Sequence, residues 1–338
     1  LEVVGTAPAG EAYDNTLRPN QAVRIFTGGP VPDGADAIVI QENTTTEANS
    51  VTVIEGTTTT GRYVRPAGLD FKEGQTLLFA GHALTARDIG LAAGMNVPWL
   101  KVRRKPLIAL LATGDEIVMP GDRIGPNQIV SSNGLALSSF IAAEGAGAID
   151  LGISPDSRDA LKAMAAGARG ADMLVTTGGA SVGDHDIVQS VLGEVGLELD
   201  FWRIAMRPGK PLIFGHIAET PILGLPGNPV SATVCALIYL GPAIRSMLGF
   251  SDSVTPMTSA IIGCDLAAND ERQDYLRSQL ATSENGALVA TPSETQDSSM
   301  FATLAHADCL VVRAPHAPPA KAGEVVTILP LRSGIISI

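Results

Sequence analysis

The sequence predicts a multidomain protein of α/β plus β class. A central, mostly parallel α/β sheet domain with helices on both faces is expected, flanked by a β-rich N-terminal domain and a small C-terminal β-barrel or sandwich. Three observations predict this. Residues 103–250 alternate apolar strand-like runs with helical segments, the pattern of a parallel sheet covered on both faces. Residues 251–338 return to short strands separated by turn signals, as in a barrel or sandwich. The 338 residues also exceed what one ordinary core holds.

Residues 1–65 read as a β-rich inserted domain. Ala22 to Phe26 and Asp36 to Ile40 are strand-like, and Thr57 to Thr60 reads as a β loop. Residues 66–102 form part of a small α+β linker or dimer domain with one clear helix. Thr85 and Asp88 make a capping-box-like start, Ile89, Ala92 and Ala93 supply an apolar face, and Gly94 marks the end.

The α/β domain, 103–250, carries strands at Leu107 to Ala112, Ala148 to Leu151 and Met173 to Thr177. Helices are expected from Asn133, from Asp156 and from about His185. Further strands are expected at Phe201 to Ala205, Leu212 to Phe214 and Ile222 to Leu225, then a helix from Pro229. The C-terminal β domain, 251–338, has strands at Met257 to Ile262, Tyr275 to Leu280, Ala287 to Ala290, Cys309 to Val312 and Val325 to Ile328.

Composition excludes several classes. Lys plus Arg is 23 against 35 Asp plus Glu, a net charge of −12, which argues against a nucleic-acid surface. Cys235, Cys264 and Cys309 are isolated and the five His are scattered, so neither a disulfide scaffold nor structural zinc is expected, and a reducing cytoplasm suits the count. The apolar run Val234 to Leu240 is too short to span a bilayer, no signal peptide opens the chain, and no membrane partner is expected. The chain starts at Leu1-Glu2-Val3-Val4 without Met, so a preceding piece is expected.

Three loops carry most of the chemistry: Thr176 to Asp186, Arg207 to Pro211 and Leu225 to Ser231. Glycines let a backbone approach a ligand and turn N–H groups inward, and a helix N-terminus adds partial positive charge. Thr177, Gly178, Gly179, Ser181 and Gly183 can donate to an anion. Arg207 and Lys210 supply paired cations on a proline-stiffened loop. Gly227 and Asn228 precede Pro229 at a helix start, which is equally the mark of an ordinary N-cap. Glu116 follows a buried strand with Asp115, and Asp156, Asp184 and Asp186 are expected on the same rim. Hard carboxylates beside phosphate suit magnesium, and which of them touch it stays open. The pattern points to a large, multiply phosphorylated anion bound beyond the carboxyl ends of the strands.

In this order, Thr27-Gly28-Gly29-Pro30-Val31-Pro32-Asp33-Gly34-Ala35-Asp36, Thr113-Gly114-Asp115-Glu116, Thr177 to Gly183, Pro208-Gly209-Lys210-Pro211 and Leu225 to Ala232 make a specific combination. With it, nearly the whole chain resembles the molybdopterin molybdenumtransferases, the MoeA-type molybdenum insertases that include the E domain of gephyrin. The resemblance implies a homodimer of four-domain subunits. It also implies insertion of molybdenum from molybdate into adenylylated molybdopterin with release of AMP, dependent on Mg2+. It assigns Thr27, near the cleft, and Asp70, the aspartate of an Arg-x-x-Gly-x-Asp motif, to substrate binding, Glu116, Asp156 and Asp186 to the acidic catalytic and metal site, Arg207 and Lys210 to the cationic pair with Lys210 also catalytic, and Ser298 to the C-terminal domain's contribution. The molybdopterin adenylyltransferase is a candidate partner. Two departures stand out: the family's Met-Asp-Gly motif is absent, and Leu69 stands where many members have Glu. The competing readings are the adenylyltransferase itself or another enzyme sharing the α/β domain, and a non-catalytic gephyrin-like scaffold.

Overall fold

The computed structural model describes residues 1–54, 59–178, 191, 193–194 and 196–331. The expected helix start near His185 and part of the Thr57 to Thr60 loop lie outside the described residues. Two compact units form, Leu1–Leu77 and Leu78–Ile338.

The first unit is built on a four-stranded sheet of order β2-β1-β4-β3. Its strands are β1 (Glu2–Ala7), β2 (Gln21–Ile25), β3 (Thr44–Glu47) and β4 (Ser50–Val53). Strands β3 and β4 form a hairpin across Ala48, whose φ is 49°. Asp36 to Ile40, expected as a strand, is not one. It holds the segment at 61–62 through two separate backbone bonds, Gly61 N–H to Asp36 O and Ile38 N–H to Arg62 O. Two isolated bonds do not make a ladder, so a short apolar run was not enough here.

The second unit begins with the expected helix, α1 (Ala86–Gly94). The Thr85 N–H and hydroxyl both donate to Asp88 Oδ2 at 2.7 Å, and His82 Nε2 lies 3.0 Å from the same oxygen. These bonds, the Thr85 backbone amide first, pull the Asp88 carboxyl down to about 2. A depressed carboxyl stabilises the fold above its unfolded value and loses that contribution as pH falls through the folded value. Asp88→Ala should therefore lower the melting temperature at pH 7, and the difference from the parent should shrink between pH 4 and pH 2. Of the expected apolar face, Ala92 is buried while Ile89 is exposed.

The central sheet has six strands in the order β10-β12-β13-β9-β5-β8. They are β5 (Leu107–Thr113), β8 (Gly147–Ser154), β9 (Met173–Thr177), β10 (Leu197–Phe201), β12 (Ile213–Ile217) and β13 (Thr220–Leu225). The run β8, β5, β9, β13 is parallel, and β12 and β10 complete the edge antiparallel. Between β5 and β8, a small parallel pair joins β6 (Ile117–Val118) to β7 (Ile129–Val130). Helix α2 (Asn133–Ala143) begins where expected, whereas α3 (Arg158–Ala165) starts two residues after Asp156, with Ser157 at its cap.

The stretch expected as one strand, Phe201 to Ala205, divides. Its first residue ends β10, and Met206–Arg207 forms β11, which pairs with the C-terminal sheet instead.

Helix α4 (Pro229–Leu248) is long and apolar enough by length and composition to cross a membrane, yet half of that stretch is buried inside the protein. Val230, Val234, Leu240 and Ile244 sit in one cluster with Leu225 and with Tyr275 and Leu310 of the C-terminal strands. Each such fully buried aliphatic side chain contributes about 1.5–3 kcal/mol. The helix ends at Gly249, whose φ of 79° makes the left-handed cap.

The C-terminal strands are β14 (Thr258–Ile262), β15 (Gln273–Thr282), β16 (Leu288–Pro292), β17 (Cys309–Arg313) and β18 (Val325–Pro330), with helix α5 (Phe301–Ala305) between β16 and β17. The order β15-β16-β14-β18-β17 closes through an added β15–β17 pairing into a five-stranded barrel. Closure removes exposed edges.

Candidate functional site

Sheet register brings the loops together. Ser154 lies opposite Thr113, Ala112 opposite Thr177, and Thr177 opposite Leu225. Four strands therefore end side by side, and one rim carries Gly114 to Glu116, Asp156, Gly178 and Gly227. Gly178 sits against Thr113, whose hydroxyl donates to the Thr177 carbonyl at 3.4 Å. The place a Gly227 side chain would occupy is 3.5 Å from Gly178 Cα. Thr177 is buried and its backbone is locked into the sheet, so it serves the site through the chain direction it sets.

The acidic side of this rim is Asp115, Glu116 and Asp156. The Asp156 N–H donates to Asp115 Oδ1 at 3.0 Å, and the Glu116 carboxylate folds back over Gly114. The Asp156 carboxyl is pushed above its ordinary range, by burial first and then by the negative charges of Asp115 and Glu116. Like charges crowded this way favour a bound cation. Mg2+ needs only one or two protein carboxylates, completing its shell with water and substrate phosphate, so these residues fit it. Among the described residues no group of three His, Cys, Asp or Glu gathers in metal-holding geometry. Asp186, the third expected ligand, lies outside the described residues, as do Gly179, Ser181, Gly183 and Asp184.

The other side of the rim is the start of α4. Pro229 occupies its first turn. Asn228 does not cap the helix with its side chain; its Nδ2 donates to Ser298 Oγ at 3.0 Å, and the Ser298 carbonyl accepts the Val230 N–H at 3.2 Å. Ser298 thus reaches the helix start from the barrel side. Asn133 Nδ2 donates to the Gly227 carbonyl at 2.8 Å. In the sequence Asn133 marked only a helix start; nothing local reveals a contact 94 residues away.

The cationic loop divides. Lys210 is exposed. Gly209 lies against α4, where an added side-chain carbon would come within 2.8 Å of Cys235 Sγ and 2.9 Å of Met206. Arg207, expected as an anion ligand, is engaged within the chain. Its guanidinium pairs with the buried Asp274 carboxylate and reaches Asp270 Oδ2 at 3.3 Å. The physical reason is β11, which docks Arg207 opposite Asp274 on the barrel. Here Arg207 ties the loop to the barrel.

Thr27 and Asp70 belong to the first unit. Both are exposed, Thr27 on the turn closed by Gly29 N–H to Phe26 O, and Asp70 just past the turn closed by Leu69 N–H to Pro66 O.

Three family models match the chain. Residues 2–95 match the MoeA N-terminal region (domain I and II), 109–246 a probable molybdopterin binding domain, and 259–331 the MoeA C-terminal region (domain IV). A molybdopterin molybdenumtransferase of Haemophilus influenzae is 32% identical over 332 residues, covering 98% of this chain and 82% of the relative. One from Nostoc sp. is 37% identical over 281 residues, covering 82% of this chain and 64% of that relative. The crystal structure of a molybdopterin biosynthesis MoeA protein from Pyrococcus horikosii superposes with a TM-score of 0.82 at 29% identity, covering 99% of this chain and 82% of that one. On these grounds the chain belongs to the molybdopterin molybdenumtransferase, or MoeA, family.

Proposed function

We propose that this chain acts in molybdenum cofactor biosynthesis, inserting molybdenum from molybdate into adenylylated molybdopterin and releasing AMP. The observation that carries the reading is the shared rim, where Gly178 and Gly227–Asn228 lie at the strand ends that also carry the crowded carboxylates Asp115, Glu116 and Asp156. One side suits phosphate oxygens and the other a hard cation.

The helix N-terminus at Asn228–Pro229 and the Gly178 turn bind the phosphates, with Lys210 supplying a mobile positive charge. Molybdate, also an oxyanion, uses the same kinds of donor. Glu116 and Asp156, with Asp186, would hold Mg2+, which when bound supplies charge neutralisation at the phosphoanhydride. Fixed donors on strand ends need little reorganisation as charge shifts, which is where such sites gain rate.

The family resemblance further supports a homodimer with Thr27 and Asp70 at the cleft. Exposure of Ile89, Trp99 and Val102 around α1 supports pairing with a second copy. The three free cysteines support a cytoplasmic setting.

The test is AMP release from adenylylated molybdopterin with Mg2+, measured with and without molybdate. Molybdate-stimulated AMP release is expected. ATP consumption with plain molybdopterin would instead indicate adenylyl transfer, and no turnover in either assay would favour a scaffold.

A further inference from the structure

We infer that Asn133 is a positioning residue for phosphate binding: by holding the Gly227 carbonyl it turns the Asn228 backbone N–H toward the substrate. The inference rests on the function proposed above. Asn133 is the first residue of α2 and donates through Nδ2 to Gly227 O at 2.8 Å. The peptide between Gly227 and Asn228 is not among the cis bonds of this chain. In a trans peptide the C=O and N–H point in opposite directions. A carbonyl fixed on α2 therefore sends the Asn228 N–H away from that helix, immediately before the first turn of α4. Among the described residues that N–H has no hydrogen-bond partner, whereas the groups around it do. The Asn228 side chain is held by Ser298 Oγ, and the Val230 N–H is held by the Ser298 carbonyl. The turn is thus clamped from α2 on one side and from the barrel on the other, leaving one amide without a partner among the described residues, at the end where the helix field favours an anion.

Without the Asn133 donor, the Gly227 carbonyl is free to rotate and its peptide can present oxygen instead of N–H to the ligand. Two variants separate this from a packing effect. Asn133→Ala removes the donor, and Asn133→Asp keeps the shape while replacing the donor with a charge that repels the carbonyl. AMP affinity measured by calorimetry should weaken about tenfold or more in both, the effect of one lost hydrogen bond to a charged group. KM for adenylylated molybdopterin should rise more than kcat falls, and Asn133→Asp should melt within a few degrees of the parent. Parent-like AMP affinity and KM in a folded Asn133→Asp variant would overturn the inference while leaving the proposed function intact. A parent protein that neither binds AMP nor releases it would overturn both.

Discussion

Gly178→Ala should cost about 2–6 kcal/mol of stability and abolish AMP release. Gly178 has φ of +84°, and a side-chain carbon there would lie 2.4 Å from the Thr113 carbonyl oxygen and 3.1 Å from its hydroxyl. The left-handed backbone costs a non-glycine residue about 1–3 kcal/mol, and overpacking adds about 1–3 kcal/mol. The obstacle cannot step aside, because Thr113 ends a strand paired on both sides with β8 and β9. The natural control is Gly170→Ala. Gly170 has φ of +86° but nothing within 4 Å of the added carbon, so only the backbone penalty applies. Urea unfolding should show a clearly larger loss at 178 than at 170. Equal losses would mean that the close approach of the two turns is not a structural requirement.

Asp156→Asn should reduce molybdate-stimulated AMP release by about 10²–10³-fold, the usual loss when one preorganised charge-stabilising group is removed. The same change should leave the fold as stable at neutral pH, or more so. The Asp156 carboxyl titrates above its ordinary value of 3.8 in the folded protein, through burial, then Asp115, then Glu116. The native state therefore holds this proton more tightly than the unfolded chain does. That preference supports folding at low pH and is lost as pH rises from the unfolded value through the folded one. At pH 7 the ionised group opposes the fold, and the amide removes that repulsion. Mg2+ should raise the melting temperature of the parent and do so less for the variant, since a ligand that binds only the native state stabilises it by mass action. A variant that melts lower at pH 7 and releases AMP normally would show Asp156 to be a structural residue.

Much of the frame was legible because its signals are short-ranged. Met173 to Thr177 is the strand the sequence predicts, with the same ends. Thr85 and Asp88 make the helix start that their spacing announces. Pro229 opens a helix, as a residue without an N–H does at no cost. The helix expected from Asp156 shifts to Arg158 because Ser157 supplies the extended cap residue, with φ of −123°. The misread stretches are those whose partners are distant. Asp36 to Ile40 lacks a ladder, and Phe201 to Ala205 is strand only at Phe201, the next strand starting at Met206 in another sheet. Both have strand-like residues, but strand formation depends on neighbours that the local sequence does not name.

The candidate site divides in the same way. Glycine turns, acidic loops and the order of the motifs were present in the chain itself, and they led to the family and to the residues of the rim. Conformational preferences of Gly and Pro and the periodicity of apolar side chains act over a few residues, so they survive reading in one dimension. Folding in three dimensions decided which side chains meet. It gave Arg207 to Asp274, 67 residues away. It gave Ser298 to Asn228 and Asn133 to Gly227. The Arg207 pairing depends on strand register, where a slip of one position would turn the side chain to the opposite face, and the other two depend on how distant loops and a helix pack.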